Sequence, residues 1–132
     1  MLRVACGCRI CKVKMITEEF TYGTDGQVAT ASFPQQPDWG LVYDRDSLGR
    51  LSGVRLVSDL DNPTSTLEHQ VTYGFDNTGR LSAVSVGVFT NTYQYGPDGA
   101  SVAGLSVAQG AATRMGVERT YDGFGRLVSE TT

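Results

Sequence analysis

A chain of 132 residues is long enough for one domain with a core and too short for two comfortable ones. A formal net charge of −3, with the basic residues scattered singly apart from Arg3, Arg9, Lys12 and Lys14, argues against nucleic acid or an anionic membrane as partner. No apolar run approaches the ~18 residues of a membrane span and the first sixteen residues lack the apolar centre of a signal peptide, so the expectation is no membrane insertion and, as the sequence stands, a cytoplasmic address.

Residues 1–16 read as an extension outside the rest of the chain. They carry Cys6, Cys8 and Cys11, whose spacing suits a soft ion such as zinc. A structural zinc site wants four ligands and only three cysteines exist, so His69, the sole histidine, would have to fold over as the fourth. An incidental extension, a disulfide, or a thiol contact between chains are the competing readings, and the odd number leaves one thiol free or paired between chains.

From residue 17 onward the chain repeats itself, and glycine sets the frame. Its 16 glycines are roughly double the ~7% background, with no Gly-X-Y period. Aligned on Gly26, Gly49, Gly79, Gly99 and Gly125, five units appear. Six residues before the glycine stand Phe20, Tyr43, Tyr73, Tyr93 and the exception Arg119. Four before it stand Tyr22, Arg45, Phe75, Tyr95 and Tyr121, so all six tyrosines occupy these two positions. Directly after it come Gln27, Arg50, Arg80, Ala100 and Arg126, and then Val28, Leu51, Leu81, Ser101 and Leu127. An acidic residue precedes the glycine by three in Asp46, Asp76 and Asp122, or by one in Asp25 and Asp98.

Each unit predicts a strand, a turn and a strand. Asp bonds its own backbone in the turn, and Gly accepts the positive φ that closes many hairpins. The first unit spans the Gly26 turn. Phe33–Gly40 follows as a connecting loop, because Pro34 and Pro37 exclude a central strand. The Gly49 unit leads to a strand ending near Val57, and Asp59–Ser65, with Asn62-Pro63, predicts a second loop. A strand beginning near Leu67 alternates Val71, Tyr73 and Phe75 with Thr72 and Gly74 up to the Gly79 turn. Val84, Val86 and Val88 alternate after it, and Phe89, Asn91, Tyr93 and Tyr95 lead into the Gly99 turn. Ala103, Leu105 and Val107 predict the next strand. Between Val107 and Met115 a loop is expected, since Gly110 would cost a helix about 1 kcal/mol. A last strand then resumes and enters the Gly125 turn.

Tyr73–Leu81 and Tyr43–Leu51 follow Tyr-x-x-Asp-x-x-Gly-Arg-Leu, and 121–127 reads Tyr-Asp-Gly-Phe-Gly-Arg-Leu. These residues resemble the RHS (YD) repeats of large bacterial surface and toxin-delivery proteins and of animal teneurins, over roughly residues 18–132. The resemblance implies one hairpin per repeat, stacked into a spiralling antiparallel sheet. Full-length members close that sheet into a shell around a toxin or an extracellular barrel, which five hairpins cannot do. The chain thus looks like a short fragment-like member, such as a mobile element might carry, and the family would place it in secretion or at the cell surface.

The expected fold is all-β: antiparallel hairpin repeats over residues 17–132 in a twisted or spiralling sheet, completed by pairing between chains. The expected function is that of a non-enzymatic structural or interaction module, with no cofactor and with a homo-oligomer, a dimer or larger, as its state. Another protein or a carbohydrate is the further partner considered, and for the latter Trp39, Tyr43, Tyr73 and Tyr93 are the candidate platform. A hydrolase is the remote alternative. No Gly-x-Ser-x-Gly elbow, P-loop, dinucleotide motif or EF-hand spacing is present in the sequence to support catalysis or calcium.

Overall fold

The computed structural model describes residues 5–6, 9–10, 17–62 and 67–132. Two short strands, β1 (Ala5–Cys6) and β2 (Arg9–Ile10), pair with each other. The remaining strands form one antiparallel sheet of ten in simple sequence order. They are β3 (Glu19–Tyr22), β4 (Val28–Phe33), β5 (Gln36–Arg45), β6 (Leu51–Val57), β7 (Leu67–Phe75), β8 (Leu81–Val86), β9 (Phe89–Tyr95), β10 (Val102–Gln109), β11 (Ala112–Tyr121) and β12 (Leu127–Thr131). No helix occurs among the described residues. The all-β hairpin architecture is therefore as the repeats predict, and the sheet is open, with β3 and β12 at its two ends.

Four of the five repeat turns share one construction, and the Gly99 turn is one residue longer, closing from Gly96 to Ser101. In the Gly49 unit the Gly49 amide donates to the Asp46 carbonyl, and the Asp46 amide donates to the Arg50 carbonyl. That is a three-residue loop with glycine in the left-handed region, and the turn glycines have φ between 70° and 87°. One residue of each outgoing strand then drops out of the ladder: Ala29, Ser52, Ser82, Ala103 and Val128. Such bulges strengthen the local twist.

Register gives the sheet a second regularity. Tyr43 pairs with Val54, which pairs with Val71, two residues short of Tyr73. Likewise Phe20, Ala31 and Leu41 form a row two residues short of Tyr43. Tyr73, Val84 and Asn91 fall two short of Tyr93, and Tyr93, Leu105 and Val117 two short of Arg119. Every hairpin is thus displaced by two residues, about 7 Å, relative to the one before it. The turns advance like steps along one edge.

One face carries these aromatic and aliphatic rows. The other is hydroxyl-rich, with cross-strand bonds between Thr21 and Thr30, Ser85 and Thr90, Thr92 and Ser106, and Thr120 and Ser129. Arg55 grips Asp44 with two hydrogen bonds on that face, beside Gly53, the residue that pairs with Asp44. Because the sheet is a single layer, most of its side chains are only half-buried. The buried apolar side chains among the described residues are Ala31 and Val57, at 2% and 0% exposure. Val57 lies opposite Gly40, and Leu60 folds down onto Gly40 where a Cβ would otherwise stand.

Two expected loops are strands instead. Residues 33–40 make a tight turn at Pro34-Gln35, after which β5 begins at Gln36. Pro37 is tolerated because the ladder skips from Phe33–Gln36 to Ser32–Gly40, leaving Pro37, Asp38 and Trp39 in a bulge that asks for no N–H. The region from Val107 to Met115 is a continuous hairpin in which Gln109 pairs with Ala112. Gly110, at φ 57°, opens its two-residue turn, as a primed hairpin turn requires. Gly87, also at φ 57°, does the same between Val86 and Phe89, so Val88 belongs to a turn and not to the valine strand.

The loop after Val57 stands where the sequence places it, with Asp59 accepting from the Asp61 and Asn62 amides. Its residues 63–66 and the side chains of Cys6, Cys8 and Cys11 lie outside what the structure describes.

Candidate functional site

The chemistry-bearing side chains of the repeats converge on the stepped edge of turns. Asp76 shows their local work: its Oδ1 accepts from the Thr78 amide, the Thr78 hydroxyl and the Arg80 amide, and its Oδ2 from Arg80 Nε at 2.7 Å. The Thr78 hydroxyl and the Arg80 donors hold this carboxyl far below the usual carboxylate range. Asp46 and Asp122 are bound the same way, by Arg50 and Arg126, and their acidity is raised accordingly.

Asp25 and Asp98 solve the same problem from the other side of the glycine. Asp98 accepts from the Ala100 and Ser101 amides and from the Ser101 hydroxyl, which lowers its pKa. The place that Asp46 fills is here Gly23 or Gly96. A Cβ at those glycines would come within 2.9 Å of Asp25 Oδ1 or 3.2 Å of Asp98 Oδ1. The carboxylate before the glycine thus occupies the space above the third residue back, which explains why the two acidic positions alternate between units.

The residue after each turn also reaches forward to the next step. The Arg50 guanidinium lies 4.2 Å from the centre of the Phe75 ring, and Arg80 lies 4.3 Å from that of Tyr95. Arg80 Nη1 donates to the Gly99 carbonyl at 2.7 Å, and Gln27 Nε2 reaches the Gly49 carbonyl at 3.5 Å. The two-residue step makes this possible, because it sets the outgoing Arg beside the fourth residue before the next glycine. Each guanidinium is therefore shared between its own turn carboxylate and the ring of its neighbour, and Arg80 reaches the neighbouring carbonyl as well. The signals, Arg after Gly and an aromatic four before it, are plain in the sequence; that they meet across adjacent units is not.

Gly79→Val tests this junction. It forces a β-branched residue to φ 87° and places a Cβ 3.4 Å from Arg50 Nη1. A loss of about 1–3 kcal/mol is expected from denaturant midpoints. Gly26→Val carries similar backbone strain, with nothing within 4 Å of its Cβ, and should cost measurably less.

Tyr43, Tyr73 and Tyr93 are half-buried in different rows, stepped by two residues and separated by the strands of Val54 and Val84. Trp39, 36% exposed, sits in the β5 bulge at the opposite end of the strand from the Gly49 turn. The structure does not gather these four rings into one patch. His69 stands in the row of Leu56, exposed. Among the described residues no three His, Cys, Asp or Glu side chains gather as a metal site. Asp44 and Asp46 turn to different arginines, Arg55 and Arg50.

The Gly99 turn corrects the sequence alignment. Gly96 pairs with Ser101 there, so this turn is one residue longer. Val102, not Ser101, lies opposite Tyr95, and Ser101, not Ala100, occupies the place of Arg50 and Arg80. Neither models of protein families nor curated proteins give a match to this chain.

Proposed function

We propose that the protein is a non-enzymatic structural and interaction module of YD-type hairpin repeats, and that it acts by pairing its two open edges with further strands of the same kind. One observation carries this reading. The forward-reaching arginines Arg50 and Arg80 are each 32% exposed, whereas Arg126, in the same position on the last turn, is 76% exposed. With no ring ahead of it, its guanidinium lies 5.4 Å from Phe124 of its own turn.

At the other edge β3 presents the matching half. Tyr22, 63% exposed, stands where Phe75 and Tyr95 stand in their units, and Phe20 is 45% exposed. A second copy that laid β3 antiparallel along β12 would repeat the junction already built between consecutive hairpins. The turn aspartates support a non-catalytic role, since each is tied to its own backbone and, in three units, to an arginine. Unpaired strand edges are intrinsically adhesive, and neither β3 nor β12 ends in a proline or a covering loop among the described residues.

Light scattering behind size exclusion, with and without reductant, tests the proposal. A dimer or larger that survives reductant is expected at high concentration; a monomer at all concentrations rejects it. Arg126→Glu and Tyr22→Ser should each be monomeric alone, because each spoils one end. Mixed, they should form a 1:1 dimer and nothing larger, since only one good pair of ends remains.

A further inference from the structure

The junction between the fourth and fifth turns lacks what the second and third junctions contain. Ser101 stands where Arg50 and Arg80 stand, and its short side chain ends on Asp98. Nothing reaches forward from it. At that place the structure has an open cleft of about 600 Å³, lined by Gly96, Asp98, Ala103, Tyr121, Asp122 and Gly125 among others.

The receiving half of the junction is nevertheless complete. The Tyr121 hydroxyl donates to the Val102 carbonyl at 2.8 Å, as that of Tyr95 donates to the Leu81 carbonyl at 2.8 Å. The two rings are therefore held alike, yet a guanidinium covers Tyr95 and none covers Tyr121. The Gly125 carbonyl is the counterpart of the Gly99 carbonyl that accepts from Arg80. The carboxylate of Asp98 is the counterpart of Asp76, but only amides and a hydroxyl neutralise it.

The other charges at the cleft are paired: Asp122 with Arg126, and Arg119, which also lines the cleft, with Glu130 and the Tyr121 hydroxyl. Asp98 is left to give the cleft a negative balance. A π-face, a carbonyl acceptor and a carboxylate, in the arrangement that holds Arg80 one unit earlier, suit a planar cation with several N–H donors.

We propose that the cleft between the Gly99 and Gly125 turns is a binding site for the guanidinium of an arginine side chain presented by a partner protein. The ligand would stack on Tyr121 and donate to the Gly125 carbonyl and the Asp98 carboxylate, taking the place of the arginine that this junction lacks. The site is independent of the β3 and β12 edges, so it stands whether or not the chain self-associates.

Titration of the protein with N-acetyl-arginine amide, followed by amide NMR, tests it. Shifts that saturate in the millimolar range are expected at Asp98, Tyr121 and Gly125, with N-acetyl-lysine amide giving several-fold weaker changes, because an ammonium is neither planar nor forked. Ser101→Arg should abolish the shifts by filling the cleft from within, and should remain folded by its dispersed spectrum. Ser101→Gln, which places here the side chain that unit one carries as Gln27, is the second variant should the first not fold, and should weaken the response. Tyr121→Leu should also weaken it. Equal responses to the two amides, shifts located elsewhere, no shifts at all, or an unchanged response in folded Ser101 variants would overturn the proposal.

Discussion

Acidification is expected to destabilise the protein steeply below the ordinary aspartate value of 3.8, while the melting temperature stays level from neutrality down to about pH 5. Asp46, Asp76, Asp98 and Asp122 all have folded-state pKa values below 3.8, set by hydrogen bonds from arginine, threonine or serine side chains and from turn amides. A carboxyl that is more acidic folded than unfolded contributes its stability in full above the unfolded value. That contribution drains away as the pH falls through the folded value. Four of the five repeat turns carry such a group, so the losses act together, and protonation also releases Arg50 and Arg80 from the carboxylates that aim them at the next ring. Circular-dichroism melts at half-unit steps from pH 7 to pH 2 check this. A melting temperature unchanged down to pH 2.5 would mean that the turn carboxylates do not hold the fold.

Val57→Ala should have the largest effect of any single truncation in the sheet. Val57 is at 0% exposure, one of the two buried apolar side chains among the described residues, opposite Gly40 and at the end of the strand where Leu60 folds down. Removing its two methyl groups should cost about 2–3 kcal/mol, or roughly 10 °C in melting temperature for a domain of this size. Val86→Ala is the control. That residue is 47% exposed on the aliphatic face, and its truncation should cost about 1 kcal/mol or less. Similar losses from the two variants in a calorimetric comparison would show that Val57 is not the anchor of this end of the sheet.

The balance between these two effects follows from the architecture. A single layer cannot bury both faces of its strands, so little of the stability comes from a sealed core. Cross-strand rows, hydroxyl pairs and the turn networks carry a larger share than they would in a sandwich. The guanidiniums between adjacent turns are more than surface ion pairs, because each one is also stacked on a ring and, for Arg80, bonded to a carbonyl.

Much of this is legible in the sequence alone. The period of glycine, the aromatic positions six and four before it, and the strand alternation on either side place all five hairpins, and their turn residues in every unit but that of Gly99. Those features depend on local geometry: a glycine at φ near 75°, an aspartate bonding its own backbone, and side chains that alternate in strands. Two of the departures are also local. Pro37 argued against a strand, but a bulge removes the need for its N–H. The segment around Gly110 lacked the familiar turn signal, yet Gly110-Ala111 closes a two-residue hairpin.

By itself, the sequence determined that the chain is all-β, that it is built of five hairpins, and where the five repeat glycines turn the chain. Those are properties of neighbours along the chain, where backbone preference and hydrogen-bond reach suffice. Tertiary structure decided the rest: the two-residue step from hairpin to hairpin, the meeting of Arg50 with Phe75 and of Arg80 with Tyr95, and the open place beside Tyr121 where Ser101 cannot reach. A one-residue difference in turn length moved the alignment at the Gly99 unit, and only the pairing of Val102 with Tyr95 reveals it. Register between strands is set by the sum of bulges, turn lengths and cross-strand packing over the whole sheet, and no single unit contains that sum.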